Sequence, residues 1–319
     1  MKTVHASALT MALVLAACGG GDGSTPTPTP TPTPTATASP TPTPTPAPVS
    51  YTEFDDLTDP ITFQSACATQ SRGPNVPFFT LSTEFGDGLT FESTPAEKKY
   101  VVKGQQIDLT FTADLITSED AAGRSYQLDN PGTPPHFLSV YSPAVGATGT
   151  KYARFAYVGT NISDTERTLN RCVIGVTTEL EDQLPNGFLK YEQLFGVSSI
   201  SVVDVNGGVE YYRTATSTYF FRADPSTGEI QFKVTLRGES VSDGTERFFG
   251  SFTGTTTIDG TEKNFSGKIV NGANELVGNF GGWFFGPQGE EMAMAWSLNE
   301  QTGNGETFNV YATLIGSNP

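Results

Sequence analysis

The chain has 319 residues, with 18 Lys and Arg against 34 Asp and Glu, which gives a formal net charge of −16. So acidic a surface excludes nucleic acid as a partner and disfavours binding to anionic lipid headgroups. It fits a basic protein partner, or a surface whose charge merely keeps the protein soluble. Glycine, β-branched and aromatic residues are frequent and no long stretch has helical period, which predicts an all-β fold.

Residues 1–17 have the layout of a secretory signal peptide. Lys2 supplies a positive charge, and residues 6–15 form an apolar run too short to span a membrane. Leu15-Ala16-Ala17-Cys18 resembles the bacterial lipobox, whose cysteine is acylated and becomes the first residue of the mature protein. The resemblance implies a lipid anchor on Cys18, palmitate included, and Gly19 in place of an aspartate implies the outer membrane. The alternative is an ordinary signal peptide with an incidental cysteine.

Residues 18–50 begin with Cys18 and then alternate threonine with proline almost throughout. The tract from 19 to 50 has no aromatic residue, so it cannot bury a core, and its prolines favour the extended polyproline II conformation. We therefore predict a disordered, semi-stiff stalk between the lipid anchor and the folded part, which leaves residues 51–319 to fold.

Residues 51–186 are predicted to form an N-terminal β domain. Short runs of β-branched and aromatic residues lie between clusters of Gly, Pro, Asn and Asp, the pattern of strands joined by turns. The predicted strands are 61–63, 78–81, 89–91, a hairpin over 99–112, 137–141 and 152–158.

Three cysteines minus Cys18 leave Cys67 and Cys172, both inside residues 51–186. An even remainder in an exported chain favours a disulfide, here one that closes a loop within the N-terminal domain. The alternative is two buried free thiols.

Residues 187–319 are predicted to contain eight strands separated by hairpin signals such as Asn206-Gly207, Asp243-Gly244 and Asp259-Gly260. Eight antiparallel strands joined by tight turns close into an up-and-down barrel without exposed edges. An open sandwich is the alternative. The strands are 188 or 197 to 204, 209–223, 229–238, 246–258, 262–270, 275–285, 292–298 and 307–315.

Three motifs carry a resemblance to a known family. Gly282, Phe284-Phe285, Gly286-Pro287 and Glu290-Glu291 are followed by a strand of small residues, which resembles the barrel signature of the transferrin-binding protein B-like bacterial surface lipoproteins. Residues 152–157 and 175–191 are similar to a strand of that family's handle domain and to its junction between handle and barrel. The resemblance implies a handle-type β domain at 51–186 followed by an eight-stranded antiparallel β-barrel at 187–319.

The same resemblance implies a non-enzymatic binding protein, lipid-anchored in the outer membrane and displayed on the cell surface. Its ligand would be a host protein or a solute, of the iron-carrier protein or haem class, and an outer-membrane transporter is a possible further partner. A structural or adhesive envelope lipoprotein is the alternative. Ligand contacts in such folds lie in loops, where analogy transfers least, so no ligand-binding residue is predicted.

The catalytic and metal-binding patterns sought in the sequence are missing. His136 is the only histidine after the leader, so a structural zinc site lacks ligands, and a solvated loop is the expected role, with axial haem ligation as the alternative. No nucleophile elbow or phosphate loop occurs. Acid pairs such as Glu290-Glu291 point to opposite faces of a strand and do not share a cleft. We predict no enzyme activity, cofactor, catalytic residue or metal.

Overall fold

A computed structural model describes residues 49–73, 79–144, 149–214, 216–259 and 262–318. The predicted signal peptide, the predicted lipidation site Cys18 and the predicted stalk as far as residue 48 lie outside these ranges. The described part is all-β, and its only helical turns are short 3₁₀ turns at Phe54–Asp56, Pro95–Glu97, Ala113–Leu115 and Pro287–Gly289. None of its helices is long and apolar enough to cross a membrane.

The first eleven strands form two antiparallel sheets. One has four strands in the order β1-β4-β5-β6, and the other has seven in the order β3-β2-β11-β10-β9-β8-β7. The strands are β1 (Ile61–Phe63), β2 (Ala66–Arg72), β3 (Phe79–Ser82), β4 (Thr90–Thr94), β5 (Lys99–Gly104), β6 (Ile107–Phe111), β7 (Ile116–Glu119), β8 (Gly123–Leu128), β9 (His136–Tyr141), β10 (Ala153–Asn161) and β11 (Arg167–Gly175). The predicted strands of this half are thus found, and β2, β7, β8 and β11 are additional.

The remaining strands form a single ten-stranded sheet that closes on itself. They are β12 (Leu189–Lys190), β13 (Gln193–Val203), β14 (Val209–Arg213), β15 (Thr218–Asp224), β16 (Glu229–Ser240), β17 (Glu246–Thr257), β18 (Asn264–Val270), β19 (Leu276–Phe285), β20 (Glu291–Gln301) and β21 (Thr307–Ser317). The order β14-β13-β21-β20-β19-β18-β17-β16 returns to β14 because β16 pairs with both β17 and β14. The predicted eight-stranded antiparallel barrel is confirmed.

Two details of the predicted barrel are wrong. Residues 209–223 are not one strand: a turn in which Ser217 N–H donates to the Thr214 carbonyl separates β14 from β15, and both pieces pair with β16. The start of the barrel is also divided, because the two-residue strand β12 pairs with β15 while β13 begins at Gln193. A polar segment, Thr214 to Ser217, interrupts the alternation, so the strand breaks without opening the ring.

The seven-stranded sheet is the middle layer of the fold. On one face, Cys67, Leu138 and Val158 pack against the four-stranded sheet. On the other face, small side chains such as Ala66 and Ala68 pack against the barrel strands β20 and β21. Buried small residues allow two sheets to approach closely, which explains why β2 is buried along most of its length although its sequence is not strongly apolar.

Cys67 and Cys172 face each other directly on the paired strands β2 and β11, and a disulfide joins them. It ties together strands that lie 105 residues apart in the sequence, and both cysteines are fully buried. The bridge therefore fixes the centre of the middle layer.

Aromatic rings fill the barrel interior. Phe280 and Phe284, predicted to share one face of β19, are 1% and 0% exposed. The ring of Phe232 lies 5.7 Å from that of Phe280 and 5.8 Å from that of Trp296, measured between centroids. Rings at such distances form a packed core, so the barrel is a solid support and its functional surfaces are to be sought outside it.

Gly281 allows the barrel to approach the N-terminal half. A Cβ added at Gly281 would lie 2.6 Å from the carbonyl oxygen of Thr83 and 2.8 Å from Cα of Glu84. We expect Gly281→Ala to cost about 2 kcal/mol of stability, because backbone on both sides must separate to accept the methyl group. Thermal unfolding measures this, with Gly272→Ala as the control, since nothing lies within 4 Å of a Cβ there. Equal melting temperatures for the two variants would contradict the close approach.

Candidate functional site

One wall of the barrel is covered and the opposite wall faces solvent. Strands β20 and β21 pack on β2, β3 and β11 of the seven-stranded sheet. In the ring order, β16 and β17 lie on the far side from β20 and β21. The outward side chains of β15, β16 and β17 are therefore placed away from the N-terminal sheets.

Strict alternation in β16 produces this outward surface. Ile230, Phe232, Val234 and Leu236 are buried in the barrel core, whereas the residues between them point outward. The β-ladder places Lys233 beside Phe220 of β15 on one side and Thr253 of β17 on the other. Cross-strand neighbours of this kind are about 5 Å apart, so side chains from three strands form one continuous surface.

Exposed aromatic rings and cations occupy that surface together. Phe188, Phe220 and Phe248 are 62%, 39% and 56% exposed. The guanidinium of Arg222 lies 4.7 Å from the ring centroid of Phe188, and that of Arg237 lies 5.2 Å from the ring of Phe248. We call the surface the aromatic–cationic wall. Its residues are Phe188, Phe220, Arg222, Lys233, Arg237, Phe248 and, from β18, Lys268, which is paired with Thr255 of β17.

The wall has the opposite charge to the whole chain. None of the ion pairs within the described residues involves Arg222, Lys233, Arg237 or Lys268. The outward residues of β16 between Glu229 and Glu239 are Gln231, Lys233, Thr235 and Arg237, so the carboxylates of this strand lie only at the two ends of the face. The net charge of −16 favoured a basic partner. At the aromatic–cationic wall an acidic partner is favoured instead, because its lysine and arginine side chains attract acidic groups.

The signature glutamate pair has a structural role. Glu291 is 2% exposed, and its carboxylate accepts N–H bonds from Lys151, Tyr152 and Ala153 at 2.6, 3.1 and 2.8 Å. Burial raises the pKa of Glu291, and the three N–H groups act in the opposite direction. Its neighbour Glu290 points away and pairs with the Lys151 ammonium at 3.2 Å. Glu291 thus ties the barrel to the residues at the start of β10.

His136 is not in a loop, contrary to the sequence-based expectation. It is the first residue of β9 and is half-buried, and its Nδ1 accepts the N–H of Asn161 at 3.1 Å. Burial lowers its pKa, which favours the neutral imidazole that this bond requires. One ring nitrogen is thereby occupied by a backbone contact.

The acidic turns of the barrel are hairpin turns, as predicted. Oδ1 of Asp204 accepts the N–H groups of Asn206 and Gly208 at 2.7 and 2.9 Å. Oδ1 of Asp224 accepts the N–H of Ser226 at 3.0 Å. Local bonds of this kind shape a turn rather than hold calcium. Among the described residues no group of three His, Cys, Asp or Glu is arranged to hold a metal ion.

No protein-family model matches the chain, and no curated protein matches it. Solved structures of transferrin binding protein B do. A double mutant of the protein from Haemophilus parasuis Hp5 is 16% identical over 80% of this chain and 44% of its own, with a TM-score of 0.43. The isotype 1 protein from serogroup B Neisseria meningitidis is 15% identical over 80% of this chain and 43% of its own, also with a TM-score of 0.43.

The N-lobe domain of lactoferrin binding protein B of Moraxella bovis is 13% identical over 78% of this chain and 98% of its own, with a TM-score of 0.31. The chain thus spans less than half the length of the two transferrin binding proteins. All three are proteins of the group that the sequence motifs resemble.

Proposed function

We propose that this chain is a lipid-anchored, non-enzymatic binding protein of the outer membrane, displayed on the cell surface, which captures a protein partner through the aromatic–cationic wall. The observation that carries the proposal is the exposure of three phenylalanines beside four cations that form no ion pair with another described residue, on a wall that the N-terminal sheets leave open. Single exposed apolar residues need no explanation, but large exposed rings set among arginine and lysine side chains on one open face have the composition of a protein interaction surface.

The composition of the wall suits a protein partner. Aromatic residues and arginine are enriched in protein interfaces and supply most of their binding energy. Here Phe220 and Phe248 stand on barrel strands over a packed core, so little flexibility is lost on binding. The surface is an extended strand face, a shape that fits a macromolecule better than a small solute.

The proposed class of partner and the proposed location in the cell are based on sequence motifs. The lipobox and the Thr/Pro-rich tract support an acylated Cys18 that holds the folded part on a stalk, with a domain boundary at residues 186–187. The resemblance favours a host iron-carrier protein, with haem or another solute as the second possibility, and an outer-membrane transporter is a further proposed neighbour. An acidic region on the partner is required by the charge of the wall.

Capture by whole cells that display the full chain tests the proposal. Cells are incubated with serum, and bound proteins are identified by mass spectrometry, for the parent and for the variant Phe188→Ser, Phe220→Ser, Phe248→Ser. We expect capture to fall at least about tenfold, because each anchor residue typically contributes more than about 1 kcal/mol. The control is Ile162→Ser with Val205→Ser, two apolar residues of similar exposure (60% and 70%) that lie in turns outside the wall.

Three outcomes separate the possible roles. Loss of capture in the wall variant alone, together with weaker capture in raised salt, supports the proposal. Equal capture by the wall variant and the parent would show that the wall does not take part in binding. If neither serum protein nor haem binds the parent, the structural or adhesive role is favoured.

A further inference from the structure

A second candidate site lies in a cavity of the N-terminal half, between the four-stranded and the seven-stranded sheet. It has a volume of about 520 Å³, within the range that holds small molecules. Ser93 of β4 and Tyr100 of β5 line it from one sheet, and Arg124 of β8 and Arg154 of β10 line it from the other. The cavity shares no residue with the aromatic–cationic wall.

Two buried hydroxyl groups at the cavity lack one acceptor. Ser93 and Tyr100 lie directly opposite each other on the paired strands β4 and β5, and they are 4% and 5% exposed. Their hydroxyls are hydrogen-bonding neighbours, and neither has another hydrogen-bond partner among the described residues. Two hydroxyls share one hydrogen bond, so the second proton needs an acceptor from outside the pair. Because both residues line the cavity, a molecule bound there can supply it.

The Tyr100 hydroxyl keeps its proton although two arginines lie near it. Burial raises the pKa of Tyr100, and the charges of Arg124 and Arg154 act in the opposite direction without reversing the shift. The phenol is therefore neutral at pH 7 and acts as a donor. The effect of both arginines on this hydroxyl also shows that the two sheets direct their positive charge at the same part of the cavity.

Basic side chains outnumber acidic ones around the cavity. Four lining residues are basic and two are acidic, whereas the whole chain has 18 Lys and Arg against 34 Asp and Glu. The basic residues are Lys98, Lys99, Arg124 and Arg154, and the acidic ones are Asp55 and Asp120. Glu119, which does not line the cavity, pairs with Lys98 and Arg124, and this group of seven still has one positive charge in excess. The field in the cavity therefore favours an anionic guest.

The carboxylates at the cavity have partners, whereas part of the Arg124 guanidinium does not. Oδ2 of Asp55 pairs with the Arg154 guanidinium at 2.8 Å, and Oδ1 of Asp120 accepts two backbone N–H groups of the turn that follows it. Arg124 bonds Glu119 through Nε at 2.6 Å. Among the described residues, no hydrogen bond joins the two terminal nitrogens of Arg124 to a carboxylate. A guanidinium edge of this kind binds carboxylates and phosphates through two parallel N–H groups.

We propose that this cavity binds a small anion that carries a carboxylate or phosphate group. The terminal N–H groups of Arg124 donate to its oxygens, and one oxygen accepts the hydroxyl proton that Ser93 and Tyr100 leave unpaired. Arg154, which is 3% exposed, adds positive charge from a buried position. Each feature of the guest corresponds to one feature of the cavity: its charge to the excess of cations, and its oxygens to the free donors. The inference does not depend on the aromatic–cationic wall or on its partner.

Isothermal titration calorimetry of the full chain in a chloride buffer measures the binding, with inorganic phosphate and acetate as separate probes. We expect at least one of the two to saturate below about 50 mM, and the probe that does so identifies the anionic group. Trimethyl phosphate and acetamide, their uncharged analogues, should bind at least about tenfold more weakly. Equal affinity for a probe and its uncharged analogue would overturn the proposal, as would the absence of saturation by both probes.

Two pairs of variants assign the binding to this cavity. Tyr100→Phe keeps the ring but removes the hydroxyl and should weaken binding several-fold, whereas Tyr141→Phe, on the opposite face of the seven-stranded sheet, should not change it. Arg124→Gln should weaken binding at least about tenfold. Lys103→Gln, which removes a paired charge away from the cavity, should have no effect.

Equal binding by the two tyrosine variants would show that the hydroxyl takes no part, and equal binding by the two charge variants would show that the anion responds only to net charge. Either result would overturn the proposal. If Arg124→Gln fails to fold, the tyrosine pair still decides, because Tyr100→Phe preserves the packing of the ring.

Discussion

Replacing both Cys67 and Cys172 with alanine is expected to lower the free energy of unfolding by about 4 kcal/mol. The disulfide closes a loop of 105 residues, and a cross-link over about 100 residues removes conformational entropy from the unfolded chain worth about 4.7 kcal/mol. The bridge also joins β2 to β11 in the sheet that both other layers pack against. Urea unfolding, followed by circular dichroism on the full chain with Cys18 replaced by alanine, measures the change.

The control for this prediction is Ser65→Ala with the disulfide intact. Ser65 is fully buried beside Cys67, and its Oγ donates to the Leu89 carbonyl at 2.5 Å. That variant loses one hydrogen bond, so we expect a cost of about 1 kcal/mol. If the double cysteine variant unfolds at the same urea concentration as the Ser65 control, the bridge does not hold the middle sheet together.

Glu291→Gln is expected to destabilise the protein by about 3 kcal/mol. The two carboxylate oxygens accept three backbone N–H bonds in a site that is 2% exposed. A glutamine side chain has the same shape, but one of its oxygens is replaced by an NH₂ group that cannot accept. At least one buried N–H then loses its partner and meets another donor, and each loss of this kind costs about 1–3 kcal/mol.

Glu290→Gln is the matched control for Glu291→Gln. Glu290 is adjacent and forms a partly exposed pair with Lys151, a contact worth between zero and about 1 kcal/mol. We therefore expect the two neighbouring substitutions to differ by about 2 kcal/mol or more in thermal or urea unfolding. Similar stabilities would show that Glu291 is not the tie between β20 and the start of β10.

The sequence predicts the barrel well because most of its strands have one buried and one wet face. In β16, Ile230 to Leu236 alternate with Gln231 to Arg237, and the structure buries the first set and exposes the second. The hairpin turns carry strong local signals of their own, so strand order and closure could be predicted. The Gly-Pro turn between β19 and β20 gives the same information.

The middle sheet was harder to predict. Strand β2 reads Ala-Cys-Ala-Thr-Gln-Ser-Arg, without apolar alternation, because sheets cover it on both sides. Small residues suit that position because the sheets on either side lie close to β2. Close packing between layers produces no periodic pattern in the sequence. Strand β11 is missed for a similar reason, since both of its faces are largely buried.

The aromatic–cationic wall could not be predicted because its residues come from several strands and no single strand contains the whole pattern. Phe220 lies in β15, Lys233 in β16 and Phe248 in β17, and only the register brings them together. The alternation of β16 predicts that Lys233 and Arg237 are wet, but not that phenylalanines of the adjacent strands stand beside them. Net charge misleads here, because the acidic residues of the chain lie mostly elsewhere.

Hydroxyl-radical footprinting of the protein with and without its captured partner tests the role of the wall most directly. The account predicts that Phe188, Phe220 and Phe248 become less reactive in the complex, while Ile162 in the turn between β10 and β11 remains as reactive as before. Protection of that turn with unchanged reactivity at the three phenylalanines would contradict it and would place binding at the end of the seven-stranded sheet.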